Sequence, residues 1–267
     1  MGLTAQSTGI YAFLEELKCG SGAQTNAVIA LAGNPNTGKS TVFNGLTGLK
    51  QHTGNWPGKT VILAKGNYQY KKKNITLVDL PGTYSLLANS ADEQVARDFI
   101  CFGDPDATVV VADSTCLERN LNLVLQVMEI TPKTILCVNL IDEAKRKKIE
   151  IDCTKLEEIL GIPVVPTAAR DKVGLKDLKE TIHKIAFAKK IPQPKQLAYN
   201  QDIEAAIYEI QQEVERLLQG RFNSRWVAMR LLDGDTTIIK EILSYLQRMK
   251  MDQEEGLGKC LEVECCE

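Results

Sequence analysis

The segment Gly33-Asn34-Pro35-Asn36-Thr37-Gly38-Lys39-Ser40 fits G-x-x-x-x-G-K-[ST] at every fixed position. That spacing suits the holding of a phosphate chain. Glycines let the backbone curl so that successive N–H groups face phosphate oxygens at a helix N-terminus. Lys39 brings a charge to the β- and γ-phosphates, and the Ser40 hydroxyl is a magnesium ligand. Gly33 to Ser40, with Thr41 behind them, are the expected phosphate-binding residues. An apolar run over 28–32 precedes the loop and a helix-like segment follows it, as such a loop requires.

Further segments follow in the order of a guanine-nucleotide switch protein. Asp79-Leu80-Pro81-Gly82 comes after an apolar run; Asp79 is placed to hold magnesium through water, and the Gly82 N–H to feel the γ-phosphate. Asn139-Leu140-Ile141-Asp142 decides the base. A carboxylate at Asp142 accepts hydrogen bonds from the N1–H and N2–H₂ edge of guanine, whereas adenine would leave it unpaired. Thr167-Ala168-Ala169 is expected to turn a backbone N–H toward the guanine O6, with Ala168-Ala169 where Ser-Ala is usual. Thr53 to Thr60 reads as a mobile loop, its Thr60 placed to reach magnesium and the γ-phosphate. Thr83 stands where many small GTPases carry a water-orienting glutamine, so slow intrinsic hydrolysis is expected. His52 and His183 have no triad or metal-ligand context.

These residues need a scaffold, and the chain supplies one. Strand-like runs at 28–32, 61–70, 75–79, 108–112, 134–138 and 164–166 alternate with helix-like segments at 40–47, 93–102, 121–130, 155–160 and 176–188. Lys71-Lys72-Lys73-Asn74 reads as a hairpin turn, making the second strand antiparallel. The expected fold class is α/β, a P-loop GTPase fold with a mostly parallel six-stranded sheet, plus a small all-helical domain. In the latter, Ile203, Ile207, Ile210, Val214, Leu217 and Leu218 form a stripe at helical period, and helices are expected at 226–232 and 236–251. The organisation read from these patterns is an N-terminal extension (1–27), a GTPase domain (28–190), a helical regulatory domain (191–253) and an acidic, cysteine-bearing tail (254–267).

Composition bounds the rest. The 267 residues are 44% hydrophobic and 25% charged with a formal net charge of −2, which argues against a nucleic-acid partner. No run of eighteen apolar residues is present, so a cytoplasmic chain is expected. Cys101, Cys116, Cys137 and Cys153 read as reduced, buried thiols; Cys260, Cys265 and Cys266 crowd a segment that reads first as a disordered acidic tail, with a weak soft- or borderline-metal or redox site as the alternative.

The phosphate loop, Gly54-Asn55-Trp56-Pro57-Gly58 and Asp79-Leu80-Pro81-Gly82-Thr83-Tyr84-Ser85-Leu86 together resemble the FeoB family, the bacterial ferrous-iron transport protein B. Leu117-Glu118-Arg119-Asn120-Leu121 and Arg225-Trp226-Val227-Ala228-Met229-Arg230-Leu231-Leu232 extend the similarity over roughly 27–250. The resemblance implies a GTPase, with GTP and GDP as ligands and Mg²⁺ as cofactor, whose helical domain favours GDP and relays the nucleotide state to a membrane permease. It also implies K⁺-assisted hydrolysis, the ion held by Asn36 and by the carbonyls of Gly54 and Trp56. Asn36, Lys39, Thr60 and Gly82 then act on the γ-phosphate. The permease is expected in the same or a separate chain, placing the protein at the inner face of the plasma membrane. A ribosome- or RNA-associated GTPase is the competing reading; such proteins carry a basic appended module, whereas the helical region here includes Glu209, Glu213 and Glu215.

Overall fold

The computed structural model describes residues 26–48, 51–55, 61–87, 90–188, 190–220 and 222–247. The chain divides between Leu197 and Ala198 into two compact units.

The first unit is built on a seven-stranded sheet: β1 (Asn26–Gly33), β2 (Gln51–Asn55), β3 (Ile62–Tyr70), β4 (Lys73–Asp79), β5 (Ala107–Asp113), β6 (Thr134–Asn139) and β7 (Val164–Pro166). Their order is β2-β3-β4-β1-β5-β6-β7. All pairs from β4 to β7 are parallel, and β3 runs antiparallel to β4 through the turn at Lys71 and Lys72, both at positive φ. The six expected strands are all there. The seventh, β2, corrects the reading of 53–55 as loop: these residues pair antiparallel with Ile62 to Ala64. A strand held at a sheet edge by backbone pairing needs no apolar alternation, and Gln-His-Thr-Gly-Asn offers none.

Helices α1 (Lys39–Thr47), α2 (Ala91–Phe102), α3 (Leu117–Ile130), α4 (Ile141–Arg146), α5 (Cys153–Leu160) and α6 (Leu175–Ala186) flank the sheet. β5 and β6 are buried almost throughout, as strands covered on both faces must be. Phe43 and Leu46 of α1 and Leu178, Ile182 and Ile185 of α6 pack with Ile29, Leu31, Leu77, Val109 and Ile135 of the sheet. Local chemistry starts the helices: Ser90 accepts from the Glu93 N–H at 3.2 Å, with Asp92 and Glu93 against the positive end of α2. The strand order reverses at β1, whose neighbours are β4 and β5. The loops leaving β1, β4, β6 and β7 therefore gather at one edge, where ligands of such sheets bind.

The described cysteines are free: Cys137 is buried, Cys101 and Cys153 are half-buried, and Cys116 is exposed, against the expectation of burial. Burial pushes the Cys137 thiol up to about 12.

The second unit contains α7 (Gln201–Leu218), α8 (Ser224–Leu232) and a further helix over 236–247. Asn200 and Asn223 cap α7 and α8 through the N–H groups of Ile203 and Trp226. Ile207, Val214 and Leu218 of the expected stripe are buried with Trp226 and Ile238, but Ile203 and Leu217 face outward. Arg225 of α8 grips Glu204 of α7 with two bonds, 2.8 and 2.7 Å, and the Tyr199 N–H adds a third at 2.9 Å. These donors hold the Glu204 carboxyl down at about 2. A depressed carboxylate stabilises the fold above its usual range, and that contribution is lost as pH falls through the folded value. The melting advantage of the wild type over Glu204→Gln is expected at neutral pH and to shrink between pH about 4.5 and about 2. Circular-dichroism melts across that window check it; a constant difference would refute it.

No helix of the described residues is long and apolar enough to cross a membrane. Among them no group of three His, Cys, Asp or Glu is arranged to hold a metal. The cysteine tail and residues 1–25 of the N-terminal extension lie outside the described residues, while Asn26 and Ala27 open β1.

Candidate nucleotide site

The loop leaving β1 turns through Asn36 at φ 67° and Gly38 at φ 79° into α1. Gly38 is required twice. Its left-handed backbone disfavours a side chain, and a Cβ there would stand 2.4 Å from Asn139 Nδ2. A Cβ on Gly33 would meet the Val111 carbonyl at 2.6 Å. Thr37 Oγ1 donates to the Asn34 carbonyl at 2.9 Å, closing the loop on itself. Asn34 and Thr37 are buried, while Pro35, Asn36, Ser40 and Thr41 are exposed, the last two in the first turn of α1.

β4 delivers the second segment. Leu80 N–H donates to the Leu31 carbonyl at 3.0 Å and Thr83 N–H to the Gly33 carbonyl at 3.2 Å, which lays Asp79 to Thr83 alongside the phosphate loop. Gly82 lies against Pro35, where a Cβ would be 3.4 Å from it. Lys39 donates to Asp79 Oδ1 and, at 2.6 Å, to the Leu80 carbonyl. Burial pushes the Asp79 carboxyl up, against the pull of Lys39. Beyond this loop, Ser85 Oγ donates to Glu93 at 3.0 Å, and Arg119 lies 4.4 Å over the Tyr84 ring. Arg119 and Asn120 of the Leu117–Leu121 segment thus serve packing: Asn120 Nδ2 donates to the Cys116 carbonyl at 2.8 Å.

Asn139 joins the two ends of the site. Its Nδ2 donates to the Thr37 carbonyl at 3.0 Å, while Oδ1 accepts from Thr167 Oγ1 at 3.0 Å and from the Ala169 N–H at 3.2 Å. Thr167 and Asn139 are almost wholly buried, and Cys137 Sγ lies 3.3 Å behind Thr167 Oγ1. Sequence reasoning passed over the Thr167 hydroxyl because threonine at the end of a strand is common. Leu140, at φ 64°, turns the chain into α4, so Asp142 falls in the first turn of that short helix. Arg146 donates to Asp142 Oδ2 at 3.1 Å. Ala168 N–H donates to the Val173 carbonyl at 3.2 Å, so both N–H groups of the Ala168-Ala169 pair already have protein acceptors.

One edge of the sheet thus gathers the phosphate loop, Asp79, Gly82, Asn139, Asp142 and Ala168-Ala169. The Gly54 backbone is in β2, paired with Leu63. Trp56 and Thr60 lie outside the described residues. The Ser40 hydroxyl and Asp79 carboxylate are hard oxygen donors of the kind magnesium takes. An Asn36 amide and a Gly54 carbonyl are neutral oxygen donors suited to a monovalent cation.

A family model described as ferrous iron transport protein B matches residues 27–182, and one described as the FeoB cytosolic helical domain matches 199–260. An Fe(2+) transporter FeoB of Methanocaldococcus jannaschii is 47% identical over 207 residues, covering 78% of this chain and 30% of that protein. The one from Salmonella choleraesuis is 39% identical over 213 residues, covering 78% and 27%. The chain therefore spans less than a third of these curated relatives. Among solved structures, the cytosolic domain of the T. maritima FeoB iron transporter in a GDP form matches with a TM-score of 0.75 at 41% identity, over 84% of this chain and 87% of that one.

Proposed function

Since the chain belongs to the FeoB family of ferrous iron transport proteins, we propose that it binds GTP and GDP and hydrolyses GTP, regulating ferrous iron uptake through a membrane permease in the same or a separate chain. Residues 28–190 form the GTPase domain and 191–253 the helical regulatory domain. The phosphate chain lies along Gly33 to Thr41, with Lys39 on its β- and γ-phosphates. Asp142 pairs with the N1 and N2 edge of guanine, and Ala168-Ala169 wall its O6 side. Ser40, Thr60 and Asp79 hold Mg²⁺, which neutralises charge on the phosphates when bound. Asn36 and the carbonyls of Gly54 and Trp56 hold K⁺, which supplies the charge an arginine finger gives elsewhere. Gly82 N–H turns to the γ-phosphate, and movement of its loop is the signal to the permease. Thr83, in the usual glutamine position, leaves turnover slow.

The observation that carries this reading is the Asn139 bridge, which sets the phosphate loop and the base loop at a fixed spacing. Titration with fluorescent nucleotides tests it: GTP and GDP are expected to bind at least about 100-fold more tightly than ATP, and equal binding would end the proposal. Hydrolysis is expected to run about tenfold faster in potassium than in sodium at matched ionic strength. Equal rates would remove the potassium site while leaving the GTPase.

A further inference from the structure

The carboxylate proposed to select guanine is braced. Arg146, one helical turn after Asp142, donates from Nη2 to Asp142 Oδ2 at 3.1 Å and pairs with Glu143 Oε1 at 2.6 Å. Two carboxylates of α4 thus share one guanidinium. The helix is short, spanning Ile141–Arg146, and starts from a left-handed leucine, so its backbone alone gives Asp142 little rigidity. The Asp142 side chain is about a third exposed (30%) and, without a partner, would turn freely toward water.

Recognition of two adjacent N–H donors on one base edge demands more than a nearby negative charge. The carboxylate plane has to lie along the base plane, with one oxygen for N1–H and one for the exocyclic amine. An ionised carboxylate has about four lone-pair sites, so a bond from Arg146 leaves enough for both base donors. Glu143 meets the same Nη2 nitrogen and so competes with Asp142 for it.

Resting on the guanine-binding reading above, we infer that Arg146 is a positioning residue for base recognition, fixing the Asp142 carboxylate in the orientation that reads the exocyclic amine of guanine. An exposed ion pair one turn apart ordinarily does little beyond supporting its helix. The two roles separate by chemistry. Support of α4 affects every purine nucleotide equally, whereas orientation of Asp142 affects most the ligand that carries the second donor.

The experiment compares GTP with ITP, which lacks only the exocyclic amine, by competition against a fluorescent guanine nucleotide. Arg146→Ala is expected to weaken GTP by about threefold to fivefold and ITP by less, so that the GTP-to-ITP affinity ratio falls. Relative to Arg146→Ala, Arg146→Lys keeps the charge on a shorter side chain and is expected to restore part of the ratio. Glu143→Gln leaves the guanidinium to Asp142 and is expected to hold the ratio at the wild-type value or above. Equal losses of GTP and ITP in Arg146→Ala would overturn the inference. A wild-type protein that does not prefer guanine to adenine nucleotides would instead overturn the reading beneath it.

Discussion

Asp142→Asn is expected to exchange guanine for xanthine as the preferred base, with GTP binding weakened by about 100-fold and XTP strengthened in return. The carboxylate accepts two hydrogen bonds; an amide in its place offers one acceptor and one donor. Against guanine the donor meets the exocyclic amine, so one bond is lost and two N–H groups are set against each other. Xanthine carries a carbonyl at that position and accepts from the amide. A hydrogen bond to a charged group is worth about 1.5–3 kcal/mol, which gives the loss its size. Asp142 is half-buried in the first turn of α4, so the substitution leaves the fold intact. Competition titration with GTP and XTP measures the ratio, and an unchanged preference would remove Asp142 from base selection.

Asn139→Ala should damage both the fold and the nucleotide site. The Asn139 amide serves the Thr37 carbonyl, the Thr167 hydroxyl and the Ala169 N–H. Alanine leaves these groups without that partner in a region closed to water. At about 1 kcal/mol or more for each buried group left unsatisfied, the loss is about 3 kcal/mol. In a unit of this size that lowers the melting temperature by roughly 6–12 °C. Nucleotide affinity falls with it, because the phosphate loop and the base loop lose their common tie. Thermal melts and GDP titration of the variant check both arms. A melting temperature within about 2 °C of wild type would show that neighbouring groups re-pair and that the bridge is dispensable.

The parts of the molecule legible in the sequence are those where chemistry and burial act on consecutive residues. β5 and β6 read as strands because continuous Val, Ile and Leu runs suit a sheet covered on both sides. The phosphate loop is legible because the glycines and Lys39 act in one turn of chain. β2 is not, since its pairing with β3 is a backbone matter. The roles of Thr167 and Arg146 escape for another reason: each depends on a partner brought near by folding, either across the sheet edge at Asn139 or around a short helix at Asp142. In α7 the apolar period predicted the helix but overstated its buried face, since Leu217 stands next to Leu218 and only one of the two can point inward.

The contacts of Lys39 carry a consequence for which anions the protein admits. Its ammonium is already paired with Asp79 and hydrogen-bonded to the Leu80 carbonyl, so an arriving phosphate has to displace an existing counter-ion instead of meeting a bare charge. Displacement rewards multivalent ligands and disfavours singly charged ones. On the nucleotide reading proposed above, a polyphosphate is therefore expected to claim Lys39 more readily than a monovalent anion.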